Sequence, residues 1–363
     1  MPGVCDRCGA PYLVRLDRPP PPSAKQALSD RPWTMWRYRE WLPLEDDEQA
    51  VSLGEGGTPL LEARRLAASE GFGRLLVKDE SVNPTGSFKA RGLAAAVTRA
   101  KAGGATSFVV PTAGNAGVAL SAYAARAGLL ARVFAPRSTP ATILAQIACY
   151  GADLELIDGH IGDCGKAARA WATKTGALDV STLREPYRIE GKKTLGLELA
   201  EQLSWTLPDA VVYPTGGGTG LIGMWKTFNE MRDSGWIDGP LPRMYAVQST
   251  GCAPVVQAFD QRAERCTAWP DPVTVAAALR VPGPLGDRLI LSALRESGGG
   301  AVSVTDAALT DGAMQLMRVE GIDAAPEGGA TLAGARELLR RGAIQPRESV
   351  VLFNTGAGWL YRG

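Results

Sequence analysis

Lys89 follows an aromatic residue directly, in the run Asn83-Pro84-Thr85-Gly86-Ser87-Phe88-Lys89-Ala90-Arg91-Gly92, at a turn just ahead of an alanine-rich helical stretch. An ε-amine held on such a packed framework loses hydration. Desolvation disfavours the ammonium, lowers its pKa and frees a neutral nucleophile suited to Schiff-base formation. Three further segments place glycines and small polar residues directly after apolar runs. Pro111-Thr112-Ala113-Gly114-Asn115-Ala116-Gly117 follows Val110 and opens a helix. Its glycines allow close backbone approach, the helix start favours an anionic group, and the Asn115 amide suits a phenolic oxygen. Pro214-Thr215-Gly216-Gly217-Gly218-Thr219-Gly220 follows Val212-Tyr213. Successive glycines and hydroxyls leading into a helix make a phosphate cradle of backbone N–H groups. Asn354-Thr355-Gly356-Ala357-Gly358 follows Leu352-Phe353, and the Thr355 hydroxyl suits a heteroaromatic nitrogen.

A reactive lysine, an amide, a phosphate cradle and a hydroxyl together fit pyridoxal phosphate. In this reading Lys89 forms the imine, Gly216, Gly217, Gly218, Thr219 and Gly220 hold the phosphate, Asn115 faces the 3′-oxygen and Thr355 faces the pyridine nitrogen. A neutral hydroxyl there leaves the ring nitrogen less protonated than a carboxylate would. The weaker electron sink suits elimination and replacement better than transamination. A rival reading rests on Gly218, Gly220 and Gly223, which satisfy the G-x-G-x-x-G dinucleotide fingerprint of an NAD-binding oxidoreductase. That fingerprint needs an acidic residue at the end of the next strand, and here that strand ends in Gln248-Ser249.

The elements that must position these residues alternate along the chain. Ser107–Pro111, Ala131–Ala135, Leu154–Ile157, Ala210–Pro214, Met244–Val247 and Val350–Phe353 read as strands, and Val118–Ala127 as a helix. Such alternation predicts an α/β fold of parallel sheets covered by helices, in which ligands bind beyond the carboxyl ends of strands. Arg262–Asp271 reads as a loop. A chain of 363 residues supports two domains or one large one, and its net charge of +1 carries no nucleic-acid or membrane signature. No signal region or membrane-length apolar run is seen, and six scattered cysteines suit a reducing cytoplasm. Cys5-x-x-Cys8 is half of a zinc knuckle and lacks a second pair, so no metal is expected. Arg18-Pro19-Pro20-Pro21-Pro22 suits an extended spacer. Trp33, Trp36, Tyr38 and Trp41 form an arm that packs on a core or a partner subunit. His160 reads as a surface loop residue.

The same residues carry a family resemblance. Glu80 with Asn83-Pro84-Thr85-Gly86-Ser87-Phe88-Lys89, the Thr112–Asn115 loop and the Gly216–Gly220 loop resemble motifs of the fold-type II pyridoxal-phosphate enzymes, the tryptophan synthase β-subunit superfamily. Arg188-Ile189-Glu190-Gly191-Lys192-Lys193-Thr194 and Asn354-Thr355-Gly356 are more narrowly similar to threonine synthases. The likeness runs from about Gly54 to Leu360. It implies an α/β fold of two open parallel-sheet domains with the cofactor in the cleft between them, and a cytoplasmic homodimer acting on a small amino-acid substrate. The implied division is an N-terminal arm over 1–50, a large cofactor domain over 51–88 and 196–363, and a small domain over 89–195. The implied reaction converts O-phospho-L-homoserine to L-threonine and phosphate, with Lys89 removing the Cα proton and Thr112, Ala113 and Arg188 at the substrate. Three positions depart from the threonine synthase pattern: Ala90 replaces an acid, and Ala116 and Leu183 replace hydroxyl residues. They keep open a threonine or serine dehydratase, a β-replacement synthase, or a silent cofactor-binding regulator. Glu327, Thr215 and Lys192 have both structural and site readings.

Overall fold

Strands that are apolar along their length belong in the middle of parallel sheets, because helices cover both faces. Val350–Phe353 and Val211–Tyr213 are such runs, and all of these residues are buried. The computed structural model describes residues 3–45 and 48–362. In chain order the regular elements begin with β1 (Leu60–Glu62), α1 (Arg64–Glu70), β2 (Arg74–Asp79), α2 (Lys89–Ala102), β3 (Ser107–Pro111) and α3 (Asn115–Ala127). They continue with β4 (Leu130–Pro136), α4 (Ala141–Cys149), β5 (Asp153–Ile157), α5 (Ile161–Thr175), β6 (Leu178–Asp179), α6 (Tyr187–Gln202) and β7 (Ala210–Pro214). The last are α7 (Thr219–Asp233), β8 (Arg243–Ser249), α8 (Pro254–Asp260), α9 (Asp287–Glu296), β9 (Gly300–Val304), α10 (Asp306–Glu320), α11 (Pro326–Arg340) and β10 (Ser349–Asn354).

The chain divides into two compact units. The first comprises Met1–Gly57 and Asn83–Thr194, and the second Thr58–Val82 and Leu195–Arg362. The first unit contains a four-stranded parallel sheet in the order β5-β4-β3-β6. Val109 and Phe134 of this sheet pack on Cys164 and Ala168 of α5. α2 packs on α3, and the small side chains of Ala90, Ala94, Ala95 and Ala96 are all buried in α2. The N-terminal arm docks within this unit. Tyr38 and Trp41 are buried, while Trp33 stays exposed with the Arg37 guanidinium 4.3 Å from its ring. The fully buried Glu55 carboxylate accepts hydrogen bonds from Tyr123 Oη at 2.6 Å, Leu53 N at 2.9 Å and Trp36 Nε1. The proline run does not continue as a spacer: Pro22–Leu28 turns into a 3-10 helix, where proline at the first position is pre-set for helical φ.

The second unit contains a six-stranded sheet in the order β1-β2-β10-β7-β8-β9, parallel except where β1 pairs antiparallel with β2. Its core joins Val77, Val212, Val302 and Leu352 to Leu309 and Leu316 of α10 and to Leu332 and Leu338 of α11. β1, β2, β6 and β9 were not signalled by the sequence pattern. β6 has only two residues, and β2 ends in the charged pair Lys78-Asp79. Arg262–Asp271 lies outside regular structure, as expected of a loop. Among the described residues, no helix is long and apolar enough to cross a membrane.

The charged end of β2 is buried through a complete donor set. Lys78 Nζ donates to Thr58 O at 2.7 Å, to Gln202 Oε1 at 2.9 Å and to Glu198 Oε2 at 2.8 Å, and both charged side chains are fully enclosed. Removing one partner of a buried pair leaves the other charge uncompensated. Lys78→Met is therefore expected to cost about 3–5 kcal/mol, read as a shift of the urea unfolding transition. A loss under about 1 kcal/mol would show that the pair contributes as little as a surface one.

Candidate active site

In the first unit, Lys89 is the first residue of α2 and lies half-buried, its Nζ 4.4 Å from the centre of the Phe88 ring. A tight turn delivers it there. Thr85 adopts φ of 66°, unusual for a β-branched residue, beside Gly86 at 70°. Asn83 Oδ1 holds the turn by accepting from Gly56 N at 3.0 Å. Pro84–Gly86 packs against α3, whose first residue is Asn115. That helix begins at Asn115 rather than Val118, so the predicted asparagine sits on the helix start itself. Thr112, buried just past β3, uses its hydroxyl inside the loop, accepting from Gly114 N and Gly117 N, both at 3.1 Å. Ala113 and Asn115 remain partly accessible.

Arg188, in the first turn of α6, is only 1% exposed. Its Nη1 donates to Val180 O at 2.7 Å, while Nε and Nη2 are buried without a hydrogen-bond partner. Val180 follows β6, the strand paired with β3, so Arg188 is tied to the same end of the sheet as the Thr112–Asn115 loop. Leu183 is buried with φ of 63°, and Ala90 is fully enclosed. Lys192 is buried as well. Its Nζ donates to Phe88 O and lies 4.1 Å from the Phe88 ring, on which Lys89 also rests.

In the second unit, β10 and β7 are neighbours, with Leu352 paired to Val212. The carboxyl ends of both strands therefore lie together, bringing the Thr215–Gly220 loop beside the buried Thr355. Gly218 has φ of 69° and caps α7. A Cβ on Gly216 would collide with the Ala278 carbonyl oxygen, and one on Gly220 with the Tyr213 hydroxyl. The loop can thus present only backbone N–H groups and the Thr219 hydroxyl at the start of a 15-residue helix. That donor set fits a phosphate.

Two residues outside the predicted cofactor set support this loop. Gln248, fully buried at the end of β8, donates from Nε2 to Thr215 O at 3.0 Å and accepts at Oε1 from Val255 N at 2.8 Å. Both ends of its amide are engaged within the protein, so the strand end that a dinucleotide site would need carries no ribose ligand. Glu327, in the first turn of α11, accepts from Ala278 N at 2.8 Å and so steadies the segment that packs on Gly216. Thr215 donates to Tyr213 O at 3.0 Å, a role internal to the turn. Glu185, in the first unit, is a residue that no motif signalled. It is buried, and its carboxylate accepts from Tyr187 N at 2.8 Å and Arg188 N at 3.2 Å. Burial pushes its carboxyl up to about 7, against the opposing influence of Arg188 and the two backbone N–H groups. His160 is exposed just ahead of α5, as expected of a surface residue.

A helix start whose donors fit a phosphate, and a lysine at a packed turn, are the features that pyridoxal phosphate calls for. Residues 51–356 match the family described as pyridoxal-phosphate dependent enzyme. The chain belongs to that family, and pyridoxal phosphate is its cofactor. It is 37% identical to threonine synthase of Methanocaldococcus jannaschii, over 92% of this chain and 82% of that protein. It is 34% identical to threonine synthase of Mycobacterium tuberculosis, over 93% of this chain and 91% of that protein. Among solved structures, the threonine deaminase of T.th. superposes with a TM-score of 0.71 at 27% identity, covering 83% of this chain and 92% of that one. Maize serine racemase, 23% identical, shares the fold with a TM-score of 0.73 over 83% of this chain and 88% of that one. The family excludes the dinucleotide reading of Gly218-x-Gly220-x-x-Gly223.

Because a methyl group on residue 216 meets backbone rather than a flexible side chain, Gly216→Ala must displace the loop. Binding of pyridoxal phosphate to the apoprotein, titrated by absorbance, is expected to weaken at least about tenfold, the equivalent of one lost hydrogen bond. Unchanged affinity would remove this loop from the cofactor site.

Proposed function

We propose that the protein is a threonine synthase, taking O-phospho-L-homoserine and water to L-threonine and phosphate. The likeness to threonine synthases over nearly the whole chain supports this reading, and the observation that carries it is Arg188. A buried guanidinium with two donors left without acceptors calls for an anionic ligand, and a phosphorylated substrate supplies one. Gly216, Gly217, Gly218, Thr219 and Gly220 are assigned to the cofactor's phosphate, Asn115 to its 3′-oxygen and Thr355 to its pyridine nitrogen. When bound, pyridoxal phosphate supplies an electron sink for negative charge developing at the substrate α-carbon. Lys89 would hold the cofactor through Nζ, and its free amine would serve as the base for the Cα proton. Lys89 Nζ rests over the Phe88 ring, 4.4 Å from its centre, which positions the amine at the start of α2. Thr112 and Ala113 are assigned to the substrate. With the Thr112 hydroxyl engaged inside its loop, these contacts fall to the backbone of the segment.

One observation favours a second reading. Leu183 and Ala116 offer no hydroxyl to a phosphate, and removal of a β-hydroxyl from threonine or serine would not need one. We also place the enzyme in the cytoplasm as a homodimer. The six free cysteines support a reducing compartment, and size-exclusion chromatography with light scattering tests the dimer.

Products formed from O-phosphohomoserine, threonine and serine, each offered separately, decide between the two reactions. Threonine with phosphate from the first is expected, and a 2-oxo acid from the others with phosphohomoserine untouched would overturn the assignment. Lys89→Ala is expected to retain native circular dichroism while losing turnover and the borohydride-reducible chromophore. Full activity in that variant would exclude Lys89 from the chemistry.

A further inference from the structure

We propose that Glu185 sets the pH range over which the site accepts an anion: it takes up a proton when the substrate's anionic group docks on Arg188, so affinity for that group falls as pH rises. The proposal rests on the reading above, that Arg188 receives an anion. Glu185 stands three residues before Arg188 and is 4% exposed, yet it does not satisfy the guanidinium. Its oxygens cap the start of α6 through Tyr187 N and Arg188 N. Nε and Nη2 of Arg188 stay buried without acceptors.

The charges acting on Glu185 are Arg188, from the helix it caps, and Asp179, from the end of β6. The same two carboxyl groups act on Arg188. Asp179 accepts from Ser181 N at 2.9 Å, which fixes it beside the loop. One buried guanidinium therefore lies under the influence of two carboxyl groups, the buried Glu185 and the half-buried Asp179. With both ionised, the cluster is net negative and repels a second anion. With Glu185 protonated, the guanidinium and Asp179 balance, and an incoming anion meets two open donors.

The direction of the coupling follows from linkage. In the free protein the Glu185 carboxyl lies at about 7, and Arg188 is one of the influences holding it down. An anion on Arg188 cancels that influence and adds negative charge, so the carboxyl rises further on binding. A group whose pKa rises on binding takes up a proton over the window between its free and bound values. Affinity is then full below about 7 and is lost as pH climbs through that window.

Sulfate is the probe, since it stays doubly charged across this pH range and adds no titration of its own. Isothermal titration of cofactor-loaded protein at pH 8, in two buffers of different ionisation enthalpy, counts the protons. Uptake approaching one proton is expected, with affinity falling by up to about tenfold per pH unit above 7. Glu185→Gln keeps an acceptor for the Tyr187 N–H and is expected to show no uptake and a flat pH profile. Sulfate binding without proton uptake in the unmodified protein overturns the proposal even where the variant fails to fold. Uptake that survives in a folded Glu185→Gln overturns it as well. Absence of sulfate binding, or binding undiminished in Arg188→Met, overturns the Arg188 assignment and this proposal with it. The borohydride-reducible chromophore on Lys89 tests the cofactor assignment independently of either result.

Discussion

Five charged residues of one helix, Arg188, Glu190, Lys192, Lys193 and Glu198 of α6, lie in the protein interior. Ions of this kind persist in a folded protein only where each finds hydrogen bonds or an opposite charge. Their partners are structural elements in their own right. Arg188 reaches the end of β6 through Val180 O, Lys192 reaches the turn before α2 through Phe88 O, and Lys193 reaches the N-terminal arm through Trp41 O. Glu198 meets Lys78 on β2. Each bond ties another segment of the chain to this helix. At Arg188, Nε and Nη2 are buried without hydrogen-bond acceptors, the observation on which the proposed anion site rests.

The loops assigned to the cofactor obey a different constraint. A parallel sheet collects the carboxyl ends of its strands along one edge, and the residues there are free of the ladder's own hydrogen bonding. In the second unit this places Thr355 after β10 next to the glycine loop after β7. The loop is kept free of side chains at 216 and 220 by the packing around it. Ala278 and Tyr213 stand where side chains at positions 216 and 220 would project, and Gln248 and Glu327 hold that surrounding layer in place. Four residues with no direct claim on the chemistry thus set the shape that chemistry requires.

Much of this was legible in the chain. The strands at Ser107–Pro111 and Ala210–Pro214 begin and end where their apolar runs do, because burial on both faces leaves an unbroken signal. Lys89, Asn115 and the glycine loop stood out because each combines a residue type with a local backbone need that few other roles share. Weaker signals failed for identifiable reasons. β2 carries Lys78 and Asp79, charges that look like surface until Glu198 and Asn354 are brought to them. Asn354 Nδ2 reaches Asp79 Oδ1 at 2.9 Å across 275 positions of sequence, a contact no local pattern announces.

The sequence alone determined the α/β class, the cofactor and the inventory of reactive groups, since these depend on local periodicity and on residue chemistry within short motifs. Tertiary structure alone decided what each polar group has left to offer. It engages the Thr112 hydroxyl within its own loop, directs both ends of the Gln248 amide inward, and leaves two Arg188 donors open beside a Glu185 carboxyl raised by burial. The physical reason is that hydrogen-bond satisfaction and desolvation are sums over neighbours in space. Those neighbours come from strands and helices that only the folded chain brings together.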